Sequence, residues 1–416
     1  MDDATDRELD LVLVGATGFV GRLTAAELAE HAPAGLRIGL AGRSADRLAA
    51  VRAELPERAG DWRSIVVDTL DEAAVTALAE RTRVVVSTVG PYLRYGLALV
   101  LACARAGTHY ADLTGETLFV RRSIDAAHDL ARAGGARIVH SCGFDSIPSD
   151  LGVGLAARAA AEQGAGELVS AVLHVRRLRG GISGGTIDSL RQQLIESEHD
   201  PAARRLAGER WALVDEPSSR PYGSARGSRR PRLPLDRDEQ TGSWQAPFVM
   251  GTYNRQIVHR TNALAGWPYG REFGYREVVD TGRGPRGAVT AAALALGTGA
   301  LVGGMAFRPS RLLLDRVLPS PGQGPDERRR AAGAFAVEVH ARTTGGTSVR
   351  ATVAADKDPG YDGTAVMLAA SGLSLAVDTD LGQAGVVTPM IALGATLPGR
   401  LRDRGFTVIA GPFDPR

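Results

Sequence analysis

Short apolar runs alternate with stretches of helical periodicity over residues 1–150. The stretches between the runs carry apolar residues at the spacing of amphipathic helices. Strands that alternate with helices pair in parallel through helical crossovers, so this region predicts an α/β domain on a parallel sheet. The predicted strands are 11–14, 36–41, 64–68, 83–89, 108–113 and 136–140.

The pattern changes beyond residue 150. Longer strand-like runs occur at 168–178, 335–342 and 348–355, and the last two flank a Thr-Gly-Gly turn that is typical of a hairpin. We therefore expect a second, α+β domain over residues 151–362, with a mostly antiparallel sheet.

Three further segments complete the predicted organisation. Apolar patterns at 363–377 and 387–404 predict two C-terminal helices, so that 363–404 packs back on the first domain. Residues 199–245 are rich in Arg, Pro, Ser and Gly and predict a long, partly mobile excursion. The arginines of that excursion are either solvated or bind an acidic carrier protein or a phosphate.

The run 287–307 is apolar, rich in Ala and Gly, and free of charge between the flanking Arg286 and Arg308. Its length is close to the roughly 20 residues that span a bilayer, but its apolarity is weak. We expect a buried or tunnel-lining helix. The alternatives are an element that touches a membrane or a partner, and a true span.

Length, charge and cysteine content narrow the class of protein. A chain of 416 residues suits two domains, and a net charge of +2 predicts neither a nucleic-acid partner nor a polybasic membrane surface. The only lysine, Lys357, lies in a polar turn, so we set aside a Schiff-base mechanism. Cys103 and Cys142 cannot form a disulfide framework, and the acidic start lacks the pattern of a signal peptide. We expect a cytoplasmic protein, with membrane association through 287–307 left open.

A glycine-rich turn follows the first predicted strand and opens a helix. Such a turn lets backbone N–H groups and a helix N-terminus face a pyrophosphate, which predicts a dinucleotide-binding Rossmann domain over residues 1–150. Thr17 stands where a middle glycine is usual, and its hydroxyl can donate to a phosphate. The predicted cofactor-binding residues of this turn are Gly15, Thr17, Gly18, Phe19, Val20 and Gly21.

The end of the second predicted strand indicates which dinucleotide binds. Arg43 and Ser44 stand where a site for NAD usually has a carboxylate. A guanidinium and a hydroxyl can hold a 2′-phosphate, which a carboxylate would repel, so we predict NADP(H). The alternative is a surface arginine beside a helix N-cap.

The later strand ends extend the predicted crevice. Asp68 is expected near the adenine, although an Asp after a strand is also a common turn former. Thr88, Gly90 and Pro91 are expected near the nicotinamide, where glycine and proline keep the backbone close to the cofactor.

Several motifs together resemble the saccharopine dehydrogenase-like NADP-binding superfamily, in particular its trans-acting enoyl reductase branch. The resemblance covers nearly the whole chain. It implies NADPH-dependent reduction of a carbon–carbon double bond in a lipid or polyketide chain, presented by a polyketide synthase that lacks its own reductase. The matching runs are 15–21, 41–43, 90–92, 110–116, 143–152, 183–186, 358–361 and 385–389.

Reduction of a conjugated enoyl group needs a hydride, a hydrogen-bond donor at the carbonyl and a proton for the α-carbon. Asp145 and Ser146 follow the sixth strand and are expected to face the nicotinamide, where Tyr92 or Tyr95 can serve as proton donor. Each of these residues also has a structural interpretation. The second glycine turn suits a substrate carbonyl or carboxylate, which adds Gly184, Gly185 and Thr186 as predicted substrate-binding residues.

The sequence favours the first of three functions and leaves the other two as alternatives. The first is an enoyl reductase that acts in trans on a small-molecule or carrier-bound acyl substrate. The second is a saccharopine-type oxidoreductase that acts at a C–N bond. The third is an NADP-binding scaffold or redox sensor without turnover. His140, His174 and His259 fall in no recognisable triad or metal spacing, so we predict no metal.

Overall fold

The computed structural model describes residues 7–180, 184–215, 235–238, 241–314 and 324–413. Strands alternate with helices up to α7 (Ile147–Glu162), and strands of a second sheet follow, as the sequence predicts. The strands form two seven-stranded sheets. The predicted fold class is confirmed: a Rossmann-type parallel sheet stands beside a second, mixed and mostly antiparallel sheet.

The first sheet, sheet A, has the strand order β13-β6-β5-β4-β1-β2-β3, and all its pairs are parallel. Every residue of β1 is buried, as expected for a strand covered on both faces. The strands are β1 (Leu9–Val14), β2 (Ile38–Gly42), β3 (Arg63–Val66), β4 (Thr82–Ser87), β5 (His109–Asp112), β6 (Arg137–Val139) and β13 (Gly385–Val387).

Helices connect these strands, and the strand order reverses between β1 and β4, which is where dinucleotides bind in this architecture. The last helix of this half, α7, leaves the crevice and packs against the second sheet. The helices are α1 (Phe19–His31), α2 (Ala45–Glu54), α3 (Glu72–Glu80), α4 (Tyr92–Tyr95), α5 (Leu97–Ala106), α6 (Thr117–Ala133) and α7 (Ile147–Glu162).

The second sheet, sheet B, has the order β14-β12-β11-β7-β10-β9-β8, and only its β7–β10 pair is parallel. Alternate residues of β11 are buried against α7. The strands are β7 (Leu168–Arg179), β8 (Asp236–Arg237), β9 (Trp244–Pro247), β10 (Gly274–Gly282), β11 (Ala334–Thr343), β12 (Ser348–Ala355) and β14 (Thr407–Pro412).

Helices between these strands cover parts of sheet B. α10 packs on β10 and α7, whereas α11 contacts β9, β10, α8 and α12. The helices are α8 (Gly184–His199), α9 (Pro201–Gly208), α10 (Gly251–Leu264), α11 (Gly284–Ala306), α12 (Arg308–Leu314) and α13 (Glu327–Ala331).

The C-terminal region differs in part from the sequence prediction. α14 (Thr364–Val377) packs on α1, β1 and β4, and its residues up to Ala376 are all buried. The single helix predicted over 387–404 is wrong. Prolines and glycines divide this stretch into β13 and two short helices, because each proline fits only at a helix start. These helices are α15 (Pro389–Leu393) and α16 (Leu397–Arg402).

The predicted excursion at 199–245 is partly regular structure. α9 occupies its first part, and the side chains of 211–214 are buried. The arginine cluster at 226–232 lies outside the described residues. The boundaries proposed for the two domains, at 1–150 and 151–362, stay predictions.

The apolar run 287–307 forms α11, and the expectation of a buried helix is wrong. Only 11% of its most apolar stretch is buried, and Leu296 is 75% exposed. By length and composition, α11 is the one helix in the described part of the chain that could cross a bilayer. An apolar pattern predicts burial only where the fold supplies a surface to cover it, and here β9, β10 and α8 cover only a small part of the helix.

Candidate functional site

The glycine turn has the geometry of a phosphate cradle. Gly15 has a φ of +87°, and a Cβ placed there would lie 2.6 Å from the Oγ1 atom of Thr88. A Cβ at Gly21 would lie 2.1 Å from the Gly15 carbonyl oxygen, so only glycine lets α1 start against the turn. The first N–H groups of α1, from Phe19 onward, have no acceptor within the helix and point toward this edge of the sheet. The residues present therefore fit a pyrophosphate.

Phe19 is held by a group of residues that the sequence analysis did not bring together. Its ring makes an edge contact with Tyr361 at a centroid distance of 5.1 Å, and the Arg330 guanidinium lies 5.6 Å from the ring centroid. The amide of Gly184 donates to the Tyr361 phenol. The run 358–361, quoted only as a family motif, thus links the start of α8 to the glycine turn.

The end of β2 presents the residues predicted to choose the cofactor. The Arg43 side chain is exposed and makes no hydrogen bond or ion pair within the described residues. Ser44 is the N-cap of α2 and accepts from the Arg47 amide at 3.4 Å. Asp68 is exposed, and its Oδ1 atom accepts from the Leu70 amide at 3.0 Å, as in a local turn. A cation and no carboxylate therefore stand at the end of β2, which fits a 2′-phosphate.

The nicotinamide side of the crevice lies at the end of β4. The Thr88 hydroxyl donates to the Gly15 carbonyl at 3.0 Å, so the two strand ends are tied together beneath the turn. Gly90 is exposed and Pro91 is half-buried, which leaves open backbone beside the turn. Tyr95 is half-buried, and the Arg94 guanidinium lies 5.0 Å from its ring centroid.

Tyr92 lies deeper than its predicted role as proton donor requires. Its phenol donates to the Ser87 carbonyl at 3.0 Å and accepts from the Leu113 amide at 3.2 Å. Burial, together with the nearby charge of Asp112, raises its pKa well above the ordinary value. The catalytic role of Tyr92 stays a prediction, whereas this geometry supports a structural role that ties β4 to β5.

Glu116 is a buried carboxylate that the sequence analysis named only within a motif. It accepts from the amides of Tyr92 at 2.9 Å and Leu93 at 2.7 Å, and from the Ser189 hydroxyl at 2.7 Å. Burial is the largest influence on its pKa, which is raised. Glu116 therefore fixes α4 against α8 at the border between the cofactor crevice and the second sheet.

Ser146 belongs to a buried polar network at the start of α7. Its hydroxyl donates to the Oδ1 atom of Asn254 at 2.9 Å, and the Asn254 amide donates to Glu277 at 3.0 Å. Ser149 and Tyr275 donate to the other Glu277 oxygen at 2.6 and 2.7 Å. Burial raises the pKa of Glu277. Sequence reasoning missed Asn254 and Glu277 because they lie more than a hundred residues from Ser146.

Asp145 is half-buried beside this network, and its charge contributes to the raised pKa values of Glu277 and Tyr253, behind the larger effect of burial. The Tyr253 phenol lies 2.5 Å from the Ser141 hydroxyl, and Ser141 has a φ of +67°. Asp145 and Ser146 therefore lie beside a buried polar network at the start of α7, and their predicted position facing the nicotinamide stays a prediction.

The three histidines considered as acids occupy different places. His140 is buried between Asp112 and Ser123, at 2.8 Å from each. His174 lies on sheet B, 3.0 Å from Asp280. The His259 ring lies 4.3 Å from the Trp211 ring, centroid to centroid, at a tilt of 41°. Burial lowers the pKa of His259 to about 3.

The predicted substrate turn opens α8. Gly184 is buried and Gly185 is exposed, and Thr186 lies in the first turn of the helix. Ser183, which belongs to the same motif, lies outside the described residues. The turn reaches the crevice through the contact of α8 with α4.

Comparison with known proteins agrees with this geometry. Residues 11–139 match the saccharopine dehydrogenase NADP-binding domain. The chain is 45% identical, over 97% of its length and 98% of the other, to a Mycobacterium tuberculosis protein provisionally named a trans-acting enoyl reductase. It is 43% identical to a Mycobacterium ulcerans protein named a trans-acting enoyl reductase, over 98% of this chain and 99% of the other.

A yeast structure shows the same fold. Saccharopine dehydrogenase (L-Glu forming) from Saccharomyces cerevisiae superposes with a TM-score of 0.52 at 13% identity, over 97% of this chain and 99% of that chain. Fold and cradle together define an NADP-dependent oxidoreductase, and the predicted cofactor, NADP(H), is confirmed. The chain belongs to the saccharopine dehydrogenase-like family, in the branch that contains the trans-acting enoyl reductases.

Proposed function

We propose that this protein is an NADPH-dependent enoyl reductase that acts in trans on a carrier-bound polyketide or lipid-like acyl chain. The observation that carries the proposal is similarity above 40% identity, over almost the entire chain, to proteins named trans-acting enoyl reductases. The cradle at Gly15 and the exposed Arg43 support the part of the proposal that concerns NADPH binding. A polyketide synthase without its own reductase is the partner that this activity implies.

In this proposal the glycine turn and Arg43 bind and orient the cofactor. NADPH, when bound, supplies the hydride that adds to the β-carbon of the enoyl group. Gly15, Thr17 and the first amides of α1 hold the pyrophosphate, and Arg43 with Ser44 holds the 2′-phosphate. Thr88, Gly90 and Pro91 keep the backbone close to the nicotinamide, while Asp68 stays near the adenine.

The remaining chemistry falls to residues at the start of α7. A hydride on the β-carbon leaves an enolate, which needs a hydrogen-bond donor at its oxygen and a proton at the α-carbon. Asp145 and Ser146 are our candidates for these roles. Asn254 with Glu277 positions Ser146, whose hydroxyl donates to the Asn254 Oδ1 atom here and must turn to the enolate oxygen in order to donate to it. We further propose that Tyr95, Gly184, Gly185 and Thr186 line the substrate side.

The test is NADPH oxidation, followed by nicotinamide absorbance, with an α,β-unsaturated acyl thioester and a cyclic imine assayed in parallel. Turnover of the thioester alone is the expected result. Turnover of the imine alone would place the reaction at a C–N bond. Tight NADPH binding without turnover of either compound would favour a scaffold or redox sensor.

Variants at the start of α7 test the assigned residues. Ser146→Ala and Asp145→Asn are expected to lower kcat at least about tenfold while NADPH binding persists, because both residues act on substrate and not on cofactor. Ser64→Ala, at an exposed position of β3, is the matched control. Unchanged kcat in both site variants would remove these two residues from the mechanism.

A further inference from the structure

The exposed surface of α11 is apolar over most of its circumference. Val289 and Leu296 point to one side of the helix and are 69% and 75% exposed, Phe307 at the C-cap is 65% exposed, and Leu294, nearly opposite them, is 41% exposed. At 100° per residue, the buried positions Gly287, Ala291 and Met305 fall on one narrow stripe. A surface helix of a globular protein normally carries charged residues opposite its buried stripe, and α11 carries none after Arg286.

Both ends of α11 are fixed to the same folded body. At its start, the Thr281 hydroxyl donates to the Gly287 carbonyl at 2.8 Å. At its end, Arg311 donates to the Met305 carbonyl at 2.8 Å and pairs with Glu198 at 2.6 Å. A helix of 23 residues is about 34 Å long. With both ends anchored on one side of that length, α11 lies along the surface of the protein and does not project from it.

The charged residues at the start of α11 are cations. Arg283 and Arg286 are exposed at its first turn, and the sequence from 284 to 307 contains no acidic residue. Cations beside an apolar helix face suit the phosphate groups of anionic lipids, with the apolar side chains placed below them.

We propose that α11 is a membrane-docking helix that lies in the plane of an anionic bilayer, at the boundary between headgroups and acyl chains. Val289 and Leu296 both point away from the buried stripe, so they can enter the acyl boundary together, while the exposed Arg283 and Arg286 at the start of the helix can meet lipid phosphates. Because both ends of α11 are fixed to the same side of the protein, the helix can lie in the membrane surface but cannot cross the bilayer. This proposal concerns location and is independent of the reaction.

Vesicle flotation of the full chain provides the test. Binding is expected to vesicles of equal parts phosphatidylglycerol and phosphatidylcholine, and to fall at least about tenfold in Leu296→Glu, which places an anion in the acyl boundary. Ile409→Glu is the matched control, since Ile409 is 57% exposed on β14 and should leave binding unchanged. Equal binding by wild type and Leu296→Glu would overturn the proposal.

A probe at position 296 separates lipid from protein occupants. Both native cysteines are fully buried, so Leu296→Cys and Ile409→Cys can each be labelled selectively with an environment-sensitive fluorophore. A blue shift on vesicle addition at position 296 only, quenched by brominated acyl chains, is the expected result. A blue shift that depends on protein concentration without lipid would assign the surface to a second copy of the chain, and a response only to an acyl carrier protein would assign it to that partner.

Discussion

The two sheets bury their residues in different ways. Sheet A is covered on both faces, and every residue of β1 is buried; its one charged residue, Asp10, lies near the start of the strand and pairs with Arg37. Sheet B has α7 and α10 on one face, while the opposite face carries ion pairs such as Arg176 with Asp280 at 2.7 Å and with Glu338 at 3.0 Å. The cofactor site of sheet A therefore arises from local turns, whereas the polar network beside sheet B depends on residues brought together from distant parts of the chain.

The strongest way to break the local site is Gly15→Ala. The new Cβ would meet Thr88 at 2.6 Å in a backbone conformation that disfavours side chains, so we expect NADPH affinity to fall at least about 100-fold. Gly35→Ala is the matched control, because Gly35 has a φ of +82° but open space around its Cβ position. Isothermal titration with NADPH compares the two, and equal affinities would contradict the cradle.

Asp150, at the junction between the sheets, should make the free energy of unfolding depend on pH. Burial raises the pKa of Asp150 to about 6 from 3.8, while its carboxylate accepts from the Met390 amide at 2.8 Å and from Thr261. The folded protein therefore holds this proton more tightly than the unfolded chain. The contribution of Asp150 to the free energy of unfolding is fully present below about pH 4. It falls by roughly 3 kcal/mol as the pH rises through about 6.

Asp150→Asn isolates this contribution, because asparagine does not ionise; its Oδ1 atom can still accept from the Met390 amide, while its Nδ2 group can donate to the Thr261 hydroxyl. Urea unfolding from pH 4 to 7 measures the free energy of unfolding of both proteins. As the pH rises, the variant should become more stable relative to wild type. Asp378→Asn should show a dependence of the opposite sign at lower pH: Arg400 outweighs burial and lowers the pKa of Asp378, so wild type should lose stability relative to this variant as the pH falls below about 4. A flat difference for Asp150→Asn would mean that its carboxyl ionises normally.

Cofactor choice is expected to give an effect of intermediate size. Arg43→Ala should weaken NADPH binding about 10- to 100-fold and leave NADH binding nearly unchanged, because only NADPH carries the 2′-phosphate. Arg47→Ala, an exposed arginine one turn into α2, is the control. Fluorescence titration of both cofactors measures the ratio, and equal losses for NADPH and NADH would discard the assignment of Arg43.

The smallest effect is expected at α11. Leu296→Glu should change the free energy of unfolding in the absence of lipid by no more than about 0.5 kcal/mol, because the side chain is already 75% exposed. Val353→Glu, at a buried position of β12, should unfold the protein under the same conditions. A large destabilisation by Leu296→Glu would show that α11 packs against the protein in solution.

Local signals in the sequence predict much of sheet A and its crevice. The turn at Gly15 and the end of β2 at Arg43 could both be identified, because glycine spacing and the residue after a strand act over a few positions. β13 could not be identified, since three residues give no periodicity and Pro389 follows closely. Glu277 could not be identified either, because its role comes from partners far away along the chain.

The path of the chain between the two sheets limits how the protein can be divided. The backbone passes from sheet A to sheet B through α7, returns through α14, and crosses again from α16 to β14. A fragment that ended at residue 150 would lack both β13, which borders β6, and α14, which covers β1 and β4. Expressed alone, it would expose an unpaired strand edge and a large apolar area, so the cofactor-binding half is not an independently folding module.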